Sequence, residues 1–429
     1  AQLDSESVRV ADQWFPSWDQ AVKQRKQTGR VDAADQLSEQ KIVFGRIKRL
    51  LPDVPAAREL LAEPAPGGCE PASPTSPISV QRRLERCQLE LDHGTLSAAN
   101  AEMDQIVRSP DEFQRFAPSL RAEILLIRGR CAWLSGSTKN TITFWDQASE
   151  LMGSGTPTGM ASRLERFNFQ TIQHNPDVVI AEVKRLLASL EVSGGELRPV
   201  IGHTLHCLAD AIFAGNDFQE SFPLAQRSLR ILERVFGPGH YQLAPFHRSV
   251  ANCFAVTQQP DRGIAVCQEA LRTVSAGPWG RWCRIQLSAT LGLCHQLKGD
   301  LDQAASAYWD ARGGLDDLTG GDPVHPYAGF LELDLASLEM ARCGHRDAQK
   351  HFHHARRILI DFLGQSEYRF VYELSRRGFV FSHGGRIGDA IYYYKNAAAL
   401  CALVMGPNHE YTALCRKNLQ MAHEREASR

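Results

Sequence analysis

The chain has 429 residues, with 48 Lys and Arg against 49 Asp and Glu, for a net charge of −1. That length exceeds one compact core and calls for several domains or a solenoid, and the balanced charge leaves no electrostatic footprint for DNA or RNA. The longest apolar run, Ala397–Met405, is nine residues, about half of the roughly 18 a membrane span needs.

Residues 1–62 read as an N-terminal helical hairpin. Val8–Lys26 carries Val10, Trp14, Trp18, Ala21 and Val22, with Pro16 marking a kink or a late start. Ala33–Leu51 carries Leu37, Ile42, Val43, Ile47 and Leu50 at helical spacing. Residues 63–78 form a Pro/Ser-rich linker, EPAPGGCEPASPTSP and the residue after it, whose composition supports neither helix nor core. No basic and apolar leader opens the sequence, and the start at Ala1 leaves room for upstream residues.

Residues 79–198 read as degenerate helical pairs: Val80–Leu91 with Ser97–Val107, Leu120–Leu134 with Thr141–Met152, and Ser162–Gln173 with Val178–Leu190. From 199 to 405 the pairs sharpen. They are Val200–Ala214 with Phe218–Phe236, Ala244–Thr257 with Arg262–Val274, Arg284–Lys298 with Leu301–Leu318, Ala328–Cys343 with Arg346–Leu363, and Tyr368–His383 with Ile387–Val404. Residues 406–429 supply a capping helix from Glu410. Each helix has one apolar stripe that only a stack of neighbours can bury.

The period rests on small residues. In Leu291–Ala311, Gly292 is followed by Ala304, Tyr308 and Ala311. The Ala304 position recurs as Ser221, Gly263, Ala348 and Ala390, at successive spacings of 42, 41, 44 and 42 along the chain. The Gly292 position recurs as Ala209, Ala251, Ala336 and Gly378, and in the degenerate part as Gly129 opposite Trp145 and Ala148. Loops share the period, and Gly237-Pro238-Gly239-His240 matches Gly406-Pro407-Asn408-His409. A recurring His just before a helix argues for a hydrogen bond at the helix start.

This register resembles tetratricopeptide repeats (TPRs), and the period near 42 residues with the GPxH turn resembles the kinesin light chain type. The resemblance covers residues 200–425. It implies an all-α, right-handed α–α solenoid whose first helices line a concave groove that takes an extended peptide. Asn and basic residues on first helices would hold the peptide backbone and its acidic side chains. Repeat geometry turns His203, His206, Asp210, Arg248, Asn252, Gln286, Gln296, Asp334, Ser337, Arg376 and His383 toward that groove. The expected binding set is His206, Asp210, Arg248, Asn252, Gln296 and Arg376.

Catalytic signatures are missing from the sequence: it has no GxxxxGK[ST], HExxH or GxSxG. His351 and His354 share a helix face and have metal-ligand spacing, but they flank inward-facing Phe352 and read as solvated. The eleven cysteines lack CxxC spacing and read as buried thiols in a reducing compartment. The expectation is a cytoplasmic, non-enzymatic scaffold or adaptor that binds proteins or peptides, without cofactor, metal, nucleic acid or membrane insertion. Two alternatives stand beside it. One is the C-terminal repeat region of a larger enzyme such as a SET/MYND-type lysine methyltransferase, suggested by GPNHEYTALCRKNL. The other is the peptide-sensing half of a regulator.

Overall fold

The computed structural model describes residues 54–62, 77–107, 110–152, 163–167, 176–192, 198–321, 325–363 and 367–428. Most of the expected N-terminal hairpin and nearly all of the linker lie outside these residues. Within them the secondary structure is helical, with no strand. The helices are α1 (Val54–Ala62), α2 (Pro77–His93), α3 (Leu96–Ile106), α4 (Pro110–Arg115), α5 (Pro118–Leu134), α6 (Thr138–Met152) and α7 (Pro176–Val192). The sharper repeats follow as α8 (Arg198–Ala214), α9 (Phe218–Phe236), α10 (Ala244–Val256), α11 (Pro260–Thr273), α12 (Pro278–Lys298) and α13 (Leu301–Thr319). The array ends with α14 (Pro326–Ala341), α15 (His345–Phe362), α16 (Glu367–His383), α17 (Ile387–Val404) and α18 (Glu410–Ala427).

Several helices start earlier than apolar periodicity places them, because α2, α5, α7, α11, α12 and α14 each open on proline, as does α4. Proline is favoured at the first helical position, where its missing N–H has no partner to lose and its φ is already set. The short α4 has too few apolar positions to show a period. His240 and His409 cap the segments after them: Nδ1 accepts from the N–H of Gln242 at 3.3 Å and of Tyr411 at 3.1 Å. His325 does the same for Tyr327 at 3.2 Å, a third copy that the sequence Asp322-Pro323-Val324-His325 conceals.

The small-residue register is the seam between paired helices. Ala304, Tyr308 and Ala311 are fully buried, as are Ala355, Ala390 and Ala397. A Cβ on Gly292 would sit 2.6 Å from the Tyr308 ring, and one on Gly378 would sit 2.7 Å from the Tyr394 ring. Gly129 is pressed by Trp145, whose indole N–H donates to the Leu126 carbonyl at 3.3 Å. Where serine takes a slot, its hydroxyl is satisfied by the facing helix: Ser221 donates to the Ala209 carbonyl at 2.8 Å and Ser228 to Gly202 at 2.7 Å.

The array curves far enough to touch itself. The C-terminus of α2 meets the start of α12, where the Gly277 N–H donates to the Asp92 carbonyl at 3.2 Å. A side chain at 277 would collide with the Asp92 backbone at 2.3 Å. The Tyr241 hydroxyl donates to the Asp92 carboxylate at 3.1 Å. Trp133 of α5 packs edge-on to Trp282 at 5.4 Å and lies 4.9 Å from His325. On the other rim Phe218 meets Phe379 and His383, and the Gln258 amide donates to the His383 carbonyl at 3.2 Å. The first helices α8, α10, α12, α14 and α16 therefore face a common interior.

Gly292→Leu and Ala311→Leu are each expected to lower stability by about 1–3 kcal/mol, because either forces the seam apart. At Gly313 a Cβ meets nothing within 4 Å. Gly313→Ala is therefore expected to raise stability, by about 0.4–1 kcal/mol. Urea unfolding of the three variants checks both signs.

Candidate functional site

Two charged clusters, both built on first helices, line the interior. In the first, Arg248 of α10 bonds through Nη2 to the Asp210 carboxylate of α8. The Ser249 hydroxyl donates to the other Asp210 oxygen at 2.6 Å and lies 3.2 Å from His206 Nδ1. His206 and His203 both turn their rings edge-on to Phe246, at 4.6 and 5.1 Å. Close by, Arg130 of α5 grips Glu165 through Nε and Nη2, at 2.9 and 2.7 Å.

The second cluster spans α14 and α16. Arg377 bonds Asp334, donates to the Phe330 carbonyl at 3.1 Å, and reaches Glu373 at 3.1 Å. Arg376 holds Glu373 through two parallel bonds of 2.8 and 2.7 Å. This bidentate form is the strongest arrangement a guanidinium offers a carboxylate. Tyr327 stands between the clusters and feels the charge of both Arg248 and Arg377. Four arginines thus oppose four carboxylates, and the wall is electrically balanced.

Burial works against the Asp210 carboxylate, but the Arg248 charge and the Ser249 hydrogen bond hold it below its usual range. Burial likewise opposes Glu373, and Arg376 and Arg377 win, keeping it ionised. The interior is not sealed. His203 is exposed there, while Asn252, Asp210 and Arg248 keep part of their surface. Arg248 Nε is buried and makes no hydrogen bond, so one donor of that guanidinium is unspent.

Of the expected binding residues, His206, Asp210 and Arg248 come together in one cluster. Asn252 lies one turn beyond Arg248, and Arg376 sits in the second cluster. Gln296 does not reach the interior. It is fully buried in the seam, donating to Ser337 Oγ at 2.8 Å and accepting from the Tyr308 hydroxyl at 3.0 Å. Ser337 is spent in that same bond. His383 lies at the closing rim against Phe379. The sequence reading missed Ser249, Glu373 and Arg377. Their signal was faint: Arg377 immediately precedes the small slot Gly378, on the helix that also presents Arg376.

Ser249, His206 and Asp210 share residue types with a hydrolase triad but not its order. The hydroxyl donates to the carboxylate directly, and His206 Nε2 is 3.9 Å from Asp210. A triad needs the imidazole between the two. The histidines of α15 are also corrected: His351 and His354 are only partly exposed. Their Nδ1 atoms lie 2.6 and 3.4 Å from the buried Glu332, which Arg312 also approaches at 3.4 Å. A carboxylate on the neighbouring helix, invisible to helix periodicity, draws them in.

Burial lowers the His206 pKa below its usual value; Asp210 opposes the shift and Arg248 reinforces it. Such a histidine adds stability above the unfolded-state pKa, near 6.5, and that stability is lost as pH falls through the folded value. The urea midpoint is therefore expected to drop as pH is lowered from about 7.5 to about 5, and His206→Gln should make that drop shallower. An unchanged slope would remove His206 from the buried network.

Residues 202–242 match the family model described as Tetratricopeptide repeat. Among solved structures, a Rap protein complexed with Competence and Sporulation Factor aligns at 13% identity, over 85% of this chain and 100% of its own, with a TM-score of 0.54. The human IFIT1 dimer with m7Gppp-AAAA aligns at 14% identity over 94% of this chain and 96% of its own, with a TM-score of 0.40. The APC/C hetero-tetramer Cut9-Hcn1 aligns at 13% over 90% and 84%, with a TM-score of 0.36. The last two superpose too loosely to add to the argument. No curated protein matches the sequence. The buried small-residue register and the Rap likeness show the fold, an all-α solenoid of helical pairs, and residues 202–242 carry a tetratricopeptide-repeat match within it.

Proposed function

We propose that the chain is a non-enzymatic scaffold whose interior, between the first helices, binds an extended segment of a partner protein or a peptide. The observation that carries this is the paired charge lining on α8, α10, α14 and α16, open to solvent at His203 and Asn252. A TPR solenoid fits this role, and the Rap fold neighbour is itself complexed with Competence and Sporulation Factor. Nine of the ten described cysteines are buried free thiols, which suits a reducing, cytoplasmic setting.

The lining also narrows the ligand. Arg248 and Arg376 already hold Asp210 and Glu373. A purely acidic peptide would have to displace an internal carboxylate and leave it poorly solvated, at a cost of about 2–5 kcal/mol if water is excluded. A peptide carrying both signs inserts between the partners and keeps every charge opposed. Asn252 offers an amide that pairs with backbone N–H and C=O at once. The proposed ligand is therefore an extended segment of mixed charge, and the balanced wall disfavours a polyanion.

Panning the full chain against a displayed peptide library tests this. The enriched sequences are expected to carry both acidic and basic residues. His203→Ala with Asn252→Ala, which leaves the ion pairs intact, is expected to weaken the best of them tenfold or more, about 1.4 kcal/mol, at an unchanged melting temperature. Undiminished binding in that variant would move the site off the interior. Arg248→Ala is a separate case: it strands Asp210 and is expected to destabilise the fold by about 1–3 kcal/mol, read by urea unfolding.

A further inference from the structure

The outward faces of α13 and α15 carry opposite charge. On α13 the exposed residues include Asp302, Ser306, Trp309, Asp310, Gly313 and Asp317. Their spacing places them on a single helix face. On α15 the exposed Arg346, Lys350, His353 and Arg357 form a second, mainly basic stripe, in which Asp347 pairs with Lys350 at 2.7 Å and which Asp361 ends. The stripes are neighbours, because the Trp309 ring lies 6.0 Å from that of His351 on α15. Trp309 is 51% exposed, the sole aromatic among the exposed large apolar side chains of the described residues. Ser306 and Gly313 flank it, and a Cβ at Gly313 would meet nothing within 4 Å, so the acidic stripe is a smooth track around one large ring.

We propose that these two faces together form a homodimer interface, with α13 of each copy laid on α15 of the other. The two helices are equivalent members of successive repeats, offset by the 44 residues that separate Ala304 from Ala348. A two-fold axis lying between them and running along them carries each onto the other at equal height. Asp302 of one copy then stands level with Arg346 of the other, and Asp310 falls between Lys350 and Arg357. Trp309 meets His353, and Arg357 finds the open track at Gly313. Every contact is made twice, as an isologous interface requires. A two-fold axis across the helices would instead set acid on acid and base on base, so the charge pattern selects one arrangement. The face measures about 27 Å by 20 Å, toward the lower end of specific interfaces, so the dimer is expected to form in the micromolar range.

Sedimentation equilibrium of the full chain up to about 100 µM tests the proposal. The wild type is expected to approach the mass of two chains, and to dissociate as salt rises from about 0.05 M to about 0.5 M. Asp302→Lys with Asp310→Lys makes both stripes basic, and Arg346→Glu with Arg357→Glu makes both acidic. Each variant alone is expected to be monomeric, with an unchanged circular dichroism spectrum. An equal mixture of the two is expected to dimerise, because each copy then offers the charge the other lacks. Trp309→Ala should weaken the wild-type dimer at least tenfold. A wild type that remains monomeric throughout would overturn the proposal and leave the face to a foreign partner. A dimer that survives both reversals, or a mixture that fails to associate, would overturn it equally.

Discussion

The rest of the structure depends on how closely two helices can approach at a small residue. At Gly292 and Tyr308 the first helix offers no side chain and the second fills the gap with a ring, so a single methyl group would separate them. Wherever that seam forms, both helices have one face committed. The first helix must turn its other side toward its counterparts in the repeats before and after, and the second must turn its own outward. The interior lining and the outer stripes are both consequences of this commitment, because a residue's distance in sequence from the small slot decides which surface it joins. Arg377 and Gly378 show how sharp the division is: one side chain away from the seam, the chain presents a guanidinium to the interior.

The seam was legible because it repeats. Five copies of one small slot, at spacings of 41 to 44 residues, outweigh the ambiguity of any one of them, and the fold class follows from the recurrence. The histidine caps were legible for the same reason at His240 and His409, and the copy at His325 escaped because its turn is spelled differently. The closure of the array was not legible. Asp92 with Tyr241 and Trp133 with Trp282 are each made once, between residues 149 apart in both cases. A contact made once has no period, and nothing in the local sequence around Trp133 marks it as an inter-repeat contact.

The placement of the interior side chains was legible in part, and the division is physical. Repeat geometry told which side chains leave the seam on first helices, and so found His206, Asp210, Arg248 and Arg376. It could not tell that Arg248 would already hold a carboxylate, because Asp210 and Arg248 belong to different repeats; the Glu373–Arg376 pair, three residues apart on one helix, was within its reach. Gln296 failed for the opposite reason. It lies four residues beyond Gly292, one helical turn on, and so remains on the seam side, where Tyr308 and Ser337 consume its amide. His351 and His354 were misread because the group that draws them in, Glu332, is on another helix.

The two surfaces differ in what their charges do. In the interior, cations and anions alternate within hydrogen-bond reach, and the pairing is complete inside one copy. On the outside, Asp310 and Arg357 lie on separate helices, although Lys350 is paired with Asp347 and Asp302 with Arg342 within the copy. Segregated charge is electrostatically costlier in an isolated chain than mixed charge, and the cost is small only because water and salt screen it. Mixed pairs hold curvature; an acidic helix face beside a mainly basic one leaves a dipole directed outward. If the interior binds a segment as proposed, a neutral inner wall sets its specificity by shape and hydrogen bonds, while the dipolar outer wall makes the proposed self-association depend on salt. Because the seam separates first helices from second, either surface is open to change without the other, provided the small slots are left alone.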